Sequence, residues 1–287
     1  MAIDLKNKTI LITGASDGIG KNTAFKLASM GANLILVGRN EEKTRKVLEQ
    51  VKSLSNLTAT HMVFLSDLSL SSQVKKLAEE IKKNTKKIDV LFNNAGAFFQ
   101  EKSITAEGLE STFALNHLNY FLLTHHLLDL LLKAESPRIV NTASQAHVGV
   151  DIDFDNLQGE RSYSGWKAYQ MSKLENILFS YELAERLKNS NITVNSFHPG
   201  FVDTNFGENN GGFFGNILKV AKKLIAINED KGSETSTYLC SSPEVEGISG
   251  KYFDKCKVKT SSAQSRNVET RKKLWMVTEE ILKKYLT

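Results

Sequence analysis

Tyr169 and Lys173 stand four residues apart in the segment Tyr169-Gln170-Met171-Ser172-Lys173, which leads into Leu174, Ile177, Leu178, Tyr181, Ala184 and Leu187, an apolar series at helical spacing. Residues four apart on a helix share one face, so the ammonium would lie beside the phenol. A free phenol titrates near pH ~10, and a shift of about three units, on the order of 4 kcal/mol, would let it exchange protons near neutrality. A neighbouring positive charge supplies part of that shift; a cationic cofactor ring or local dipoles must supply the rest. The spacing alone is weak, because an exposed lysine beside a half-buried ring is common. It also recurs at Tyr163 and Lys167, where Ser162, Ser164 and Gly165 predict a loop and the shared-face argument fails. The Tyr169 and Lys173 pair has the chemistry of a proton donor and acceptor for a carbonyl or alcohol, and the Tyr163 and Lys167 pair reads as structural or substrate-side.

Such a pair needs a frame. Apolar runs alternate with helical patterns: strands at Ile10 to Ile12, Asn33 to Val37 and Ala59 to Leu65, and helices from near Ile19, from Asn40 to Leu54 and from Ser71 to Lys83. Further strands are predicted around Val90, at Arg138 to Thr142, at Ile192 to Phe197 and near Tyr252, with long helices at Glu107 to Leu132 and Trp166 to Lys188. Strand, helix, strand with short connections predicts an α/β doubly wound (Rossmann) fold: a mostly parallel sheet with helices on both faces. At 287 residues with 41% hydrophobic residues, one domain spanning 1–287 is expected, with about 205–230 as a loop or lid over the substrate.

The first strand runs into Thr13-Gly14-Ala15-Ser16-Asp17-Gly18-Ile19-Gly20. Glycines allow a tight turn and close approach of a pyrophosphate to the N–H groups of the next helix end. The spacing meets the usual dinucleotide fingerprint only loosely, but its place between a buried strand and a helix favours nucleotide binding over a plain turn. After the second strand stands Arg39, where an acid would suit ribose hydroxyls and an arginine suits a 2′-phosphate; NADP(H) is therefore expected over NAD, with Lys21 as a helper. Asn40 can equally be a plain helix cap there.

The remaining composition narrows the classes. The net charge of +5 is spread over helices with acids interleaved, which fits a solvated surface better than nucleic-acid binding. Two cysteines, Cys240 and Cys256, fit a reducing compartment, and the six histidines are scattered, the adjacent His125 and His126 pointing in different directions, so no metal is expected. Met1 to Lys8 lacks the apolar core of a signal peptide and no run has the ~18 apolar residues of a membrane span, so a cytoplasmic protein is expected. One stretch, 213–227, pairs Phe214, Ile217, Leu218, Val220, Leu224 and Ile225 with Lys219, Lys222 and Lys223; it reads either as a lid or as a peripheral membrane contact.

Taken in order, Thr13 to Gly20, Asp67-Leu68, Asn93-Asn94-Ala95-Gly96, Asn116, Ser144, Tyr169 with Lys173, and Pro199-Gly200 with Thr204 resemble the short-chain dehydrogenase/reductase family over nearly the whole chain. Leu157 to Lys173, His198 to Gly200 and Ser249 to Leu282 resemble more narrowly its retinol dehydrogenase branch, which shares the long Asp151 to Gly165 insertion. The resemblance implies that Gly14, Ser16, Gly18, Ile19 and Gly20 hold a pyrophosphate, that Asp67 and Leu68 contact adenine, that Asn93 and Ala95 line its ribose, and that Thr204 meets the nicotinamide carboxamide. Asp17, Gly96, Pro199, Gly200 and Val202 complete the implied cofactor set. It also implies that Tyr169 gives or takes the proton, Lys173 holds the nicotinamide ribose and lowers the phenol's pKa, Ser144 bonds the carbonyl oxygen, and Asn116 orders a water. Ser144 as a turn cap and Asn116 as a residue satisfied by its own helix are the bland alternatives.

Aromatics crowd the variable segments, including Phe98, Phe99, Tyr163, Trp166 and Phe201, which suits a lipophilic alcohol or carbonyl substrate as well as it suits a core. The segments at Ala97 to Gln100, His147 to Val150, Tyr163 to Trp166 and Phe201 to Ile227 are expected to line its pocket. The expected activity is NADP(H)-dependent interconversion of such an alcohol and its aldehyde or ketone. A catalytically silent dinucleotide-binding sensor or scaffold, or a membrane-surface interaction protein, is the alternative. Family members often pair through the two long helices, so a homodimer is a further expectation.

Overall fold

A computed structural model describes residues 3–56, 58–200 and 229–287. Its centre is an eight-stranded sheet in the order β3-β2-β1-β4-β5-β6-β7-β8. The strands are β1 (Thr9–Thr13), β2 (Asn33–Gly38), β3 (His61–Leu65), β4 (Val90–Asn93), β5 (Arg138–Thr142), β6 (Thr193–His198), β7 (Lys251–Asp254) and β8 (Lys257–Lys259). All neighbours are parallel except β7 and β8. The apolar runs Ile10-Leu11-Ile12 and Leu34-Ile35-Leu36-Val37 are fully buried because helices cover both faces. The order reverses between β1 and β4, and in such sheets that switch point opens a ligand crevice at the strands' carboxyl ends.

On one face, α1 (Gly18–Ser29), α2 (Glu41–Leu54) and α8 (Glu234–Ser241) enclose a core with Ile12, Leu34 and Phe197; a short α7 (Glu229–Gly232) precedes α8. On the other, α3 (Ser71–Asn84), α5 (Asn119–Leu131) and α6 (Gly165–Arg186) pack over Leu11, Leu91 and Ile139. The C-terminal α9 (Val268–Leu282) crosses α5 and α6. Trp275 wedges between them, its ring centroid 4.6 Å from Phe121 and 6.0 Å from Phe179, while Arg186 lies over its face at 4.1 Å. The C-terminal helix thus packs on both α5 and α6 through this ring. Among the described residues, no helix is long and apolar enough to cross a membrane.

Two elements differ from expectation. The predicted helix Glu107 to Leu132 is broken: Ile104 and Glu110 form an antiparallel bridge, Gly108 turns the chain with φ of 81°, and helix begins only at α4 (Ser111–Phe113). Glu110 caps α4 by accepting from the Thr112 and Phe113 amides, and Glu107 caps α3 at long range by accepting from Ser71 and Ser72. A π turn (Ala114–Leu118) then carries the chain into α5. The histidines expected to diverge lie with ring centroids 5.3 Å apart, His125 bonded to the carbonyl of Leu286 and His126 to that of Tyr285.

Candidate active site

The glycine turn after β1 leaves no room for side chains. A Cβ on Gly20 would stand 2.3 Å from the Gly14 carbonyl oxygen, and one on Gly14, where φ is 64°, would stand 2.9 Å from the Ala95 Cα. Asp17 caps α1 by accepting from the Gly18 amide. The turn is pinned from β4 by Asn94, whose amide group donates to the carbonyls of Thr13 and Gly14, while the Thr13 hydroxyl accepts from the amides of Asn94 and Ala95. Asn94 has no role in the sequence reading; only its place in the Asn-Asn-Ala-Gly run marks it. This rigid cradle at a helix N-terminus fits a pyrophosphate by donor chemistry and by shape.

At the adenosine end, the Arg39 guanidinium is 3.9 Å from Asp67 and largely exposed. Lys21 and Lys43 approach the Asp17 carboxylate at 3.8 and 3.5 Å, Lys43 being one the sequence did not single out. Asp67 also accepts from the Ser69 amide and hydroxyl. Leu68 is buried in the core, and the Asn93 amide donates to Thr124 and to Asn141 inside the sheet layer. Asn93 can therefore meet a ribose only through its main chain.

At the other end of the crevice, Ser164 caps α6 and places Tyr169 and Lys173 one turn apart on a buried face. The Lys173 ammonium lies 5.4 Å from the Tyr169 ring centroid. Burial pushes the Tyr169 phenol up to about 12, opposed by a hydrogen bond from Ser144, and pushes Lys173 down to about 8. Gly96 lies against the pair: a Cβ there would be 3.4 Å from Lys173 Nζ and 3.1 Å from Asn116 Oδ1. Asn116, in the π turn, exchanges two hydrogen bonds with the main chain of Ala97 and donates to Ser172 Oγ, which donates to the Tyr169 carbonyl. Its side chain is thus a strut between the β4 loop and α6. π turns often mark such sites, but none is legible from residue types. Ser144 begins the turn Gln145–His147, its hydroxyl accepting from the Ala146 amide as well as meeting Tyr169.

The structure thus joins Ser144, Tyr169, Lys173, Asn116 and Gly96 into one constellation. Pro199 and Gly200, with φ of 87°, follow β6 nearby in the fold. Val202, Thr204, the 205–230 segment and the amphipathic 213–227 stretch lie outside the described residues, apart from 229 and 230 at the start of α7. Phe98 meets the Tyr169 ring edge-on at 6.0 Å and the half-exposed Trp166 lies at 6.0 Å. Tyr163, by contrast, is structural: its hydroxyl bonds the Phe99 carbonyl and Glu110, fastening the 151–165 insertion. Lys167 proves to be helical, but Tyr163 precedes the cap, so the pair shares no helix face. A phenol, an ammonium and a hydroxyl can exchange a proton with an oxygen whose carbon undergoes redox chemistry.

The family model for short chain dehydrogenases matches residues 8–211. The chain belongs to the short-chain dehydrogenase family. It is similar to human retinol dehydrogenase 13, 37% identical over 278 residues that cover 94% of this chain and 83% of the relative, and to human retinol dehydrogenase 14, 37% identical over 96% and 86% of the respective chains. A crystal structure of an uncharacterized protein from Mycobacterium paratuberculosis superposes with a TM-score of 0.79 at 27% identity, covering 98% of this chain and 96% of that one. A Burkholderia cenocepacia short chain dehydrogenase in complex with NADP shares the fold, with a TM-score of 0.69 at 24% identity over 87% and 96%. This short-chain dehydrogenase is accordingly a retinol dehydrogenase-like oxidoreductase of CH–OH donors with a nicotinamide dinucleotide cofactor.

Proposed function

We propose that the protein uses NADPH to reduce a lipophilic aldehyde or ketone, retinoid-like in character, and runs in reverse on the alcohol, with Tyr169 as proton donor and acceptor. The reading is carried by the Ser144, Tyr169 and Lys173 constellation beside the glycine cradle. Bound there, the nicotinamide supplies or receives the hydride. Ser144 donates a hydrogen bond to the substrate oxygen and holds it near the Tyr169 hydroxyl, which gives its proton as negative charge builds on that oxygen. Lys173 favours the phenolate left behind and offers donors to the nicotinamide ribose. Asn116, through Ala97 and Ser172, fixes the distance between the β4 loop and α6 on which these contacts depend.

Arg39, largely exposed and 3.9 Å from Asp67, supports a 2′-phosphate and hence NADP(H), the cofactor with which the fold neighbour from Burkholderia is in complex. Phe98 and Trp166 beside Tyr169, together with the names of the human relatives, support an apolar conjugated substrate. The glycine cradle, Asp17, Asp67, Leu68, the main chains of Asn93 and Ala95, and the Pro199 to Thr204 segment complete the reading of the cofactor site. A panel of aldehydes and ketones, all-trans-retinal included, assayed in parallel with NADPH and NADH tests it. NADPH-dependent turnover of apolar members is expected; no turnover of any member with either cofactor would contradict it.

A further inference from the structure

The turn that carries Ser144 is held by an unusual residue. His147 is 1% exposed. Its Nδ1 is 2.6 Å from the Ser144 carbonyl oxygen, which can only accept, and its Nε2 is 3.2 Å from the Ser262 amide, which can only donate. The two partners therefore fix a neutral imidazole with its proton on Nδ1. The ring packs on Tyr252 of β7 at 5.2 Å between centroids. The segment it reaches is itself tied to α6, since Ser261 Oγ lies 2.8 Å from the Tyr181 hydroxyl and 2.7 Å from Ser265 Oγ. Two lighter bonds hold the same turn: His198 Nδ1 accepts from the Gln145 amide at 3.3 Å, and Gln170, next to Tyr169, donates to the Ala146 carbonyl at 3.2 Å. The turn was expected to line the substrate pocket, but His147 is inside the protein, bridging it to the segment after β8.

The geometry points to His147 as a positioning residue that couples the docked 261–265 segment to Ser144 and so sets the Ser144 hydroxyl against Tyr169. This rests on the reading of Ser144 and Tyr169 given above. Charge is unwelcome at the ring: a protonated Nε2 would face the Ser262 N–H with a second donor, and burial, with Lys259 nearby, holds the imidazole's pKa low. Tyr252 and His198 are further titratable neighbours; burial pushes the His198 imidazole down to about 4 and raises the Tyr252 phenol, so none of these groups takes up or gives a proton near neutrality. The Ser144 hydroxyl donates to the Tyr169 phenolate and lowers its pKa. A displaced Ser144 would leave a more basic, less easily ionised phenol.

The test compares full-length wild type, His147→Asn, whose amide N–H falls near Nδ1, and His147→Gln, whose amide falls near Nε2 and misses the Ser144 carbonyl. Steady-state reduction of all-trans-retinal and of benzaldehyde with NADPH, alcohol oxidation against pH, NADPH affinity by fluorescence, and melting are measured for each. The expected result is a kcat about tenfold lower in His147→Gln, equivalent to about 1.4 kcal/mol, with NADPH affinity within about twofold. Its alcohol-oxidation acid limb should move to higher pH, and His147→Asn should recover most of the rate. Asn and Gln variants with equal kcat and unmoved pH profiles would overturn the inference even if both melt early. Histidine nitrogen NMR gives a readout apart from turnover: the resonance lost in His147→Asn should belong to a neutral Nδ1–H ring at neutral pH, and an Nε2–H or protonated ring there would overturn it. Inactive wild type would instead count against the reading of the reaction, leaving the NMR result to judge the bridge.

Discussion

Replacing Lys173 by methionine removes the ammonium while keeping an unbranched chain in the buried face of α6. The ammonium is 5.4 Å from the centre of the Tyr169 ring. At an effective dielectric of about 20, that separation gives about 3 kcal/mol between the ammonium and a charge on the phenol. The corresponding shift is about two pKa units, or about a hundredfold in a step limited by the phenol's proton. Burial already pushes the phenol up to about 12, and the Ser144 hydrogen bond opposes it only in part, so removing the ammonium leaves the phenol still harder to ionise. Burial also pushes Lys173 down to about 8, so in the free protein that help fades as pH rises through about 8. The assay is alcohol oxidation and aldehyde reduction followed by NADPH absorbance across pH, with NADPH binding measured separately. Lys173→Met is expected to lose about a hundredfold in kcat and to move the acid limb of oxidation up by about two units. A kcat within about threefold of wild type at saturating NADPH, with an unmoved limb, would refute the electrostatic argument.

Three further outcomes are expected. Gly96→Ala puts a methyl 3.1 Å from Asn116 Oδ1 and 3.4 Å from Lys173 Nζ; it should cost about tenfold in kcat with little change in melting, whereas full activity would show that the two side chains yield freely. On the proposed NADP(H) reading, Arg39→Asp sets a like charge against the 2′-phosphate, and the ratio of kcat/KM for NADPH to that for NADH should fall at least about a hundredfold; an unchanged ratio would place phosphate recognition elsewhere. His117 is buried and bonded to Thr278 of α9, and burial pushes its pKa down to about 3. The unfolded chain therefore takes up its proton first, and stability falls as pH drops below ~6.5 toward ~3. Between pH ~7 and ~5 the loss from this group is about 2 kcal/mol, and urea unfolding of His117→Gln should lack it; equal acid sensitivity in both proteins would contradict the assignment.

The alternation of elements was legible because fully buried parallel strands read as unbroken apolar runs, as in Ile10-Leu11-Ile12 and Leu34 to Val37. The glycine turn was legible because sterics leave no other residue at Gly14 and Gly20. Tyr169 and Lys173 were legible because helical spacing predicts their meeting. What escaped depends on partners far away in sequence. Glu107 caps a helix that begins 36 residues before it, Asn94 holds a turn 80 residues before it, and His147 reaches 115 residues ahead. The β7–β8 turn uses Lys255 and Cys256 with φ of 50° and 59°, without the glycine or asparagine that announces such turns. The docking of Trp275 on Phe121 and Phe179 likewise joins residues far apart in the chain and is displayed only by the fold.

The proposed proton transfer needs the Tyr169 hydroxyl, and Tyr169→Phe removes that oxygen from a ring already packed against Phe98 and Trp166. Single-turnover reduction of an apolar aldehyde by prebound NADPH is the most direct measurement. The variant should bind NADPH within about threefold of wild type yet react more than about a thousandfold more slowly, the loss of a positioned general acid together with its charge stabilisation. A rate near that of wild type, with NADPH bound, would mean that the proton comes from another group.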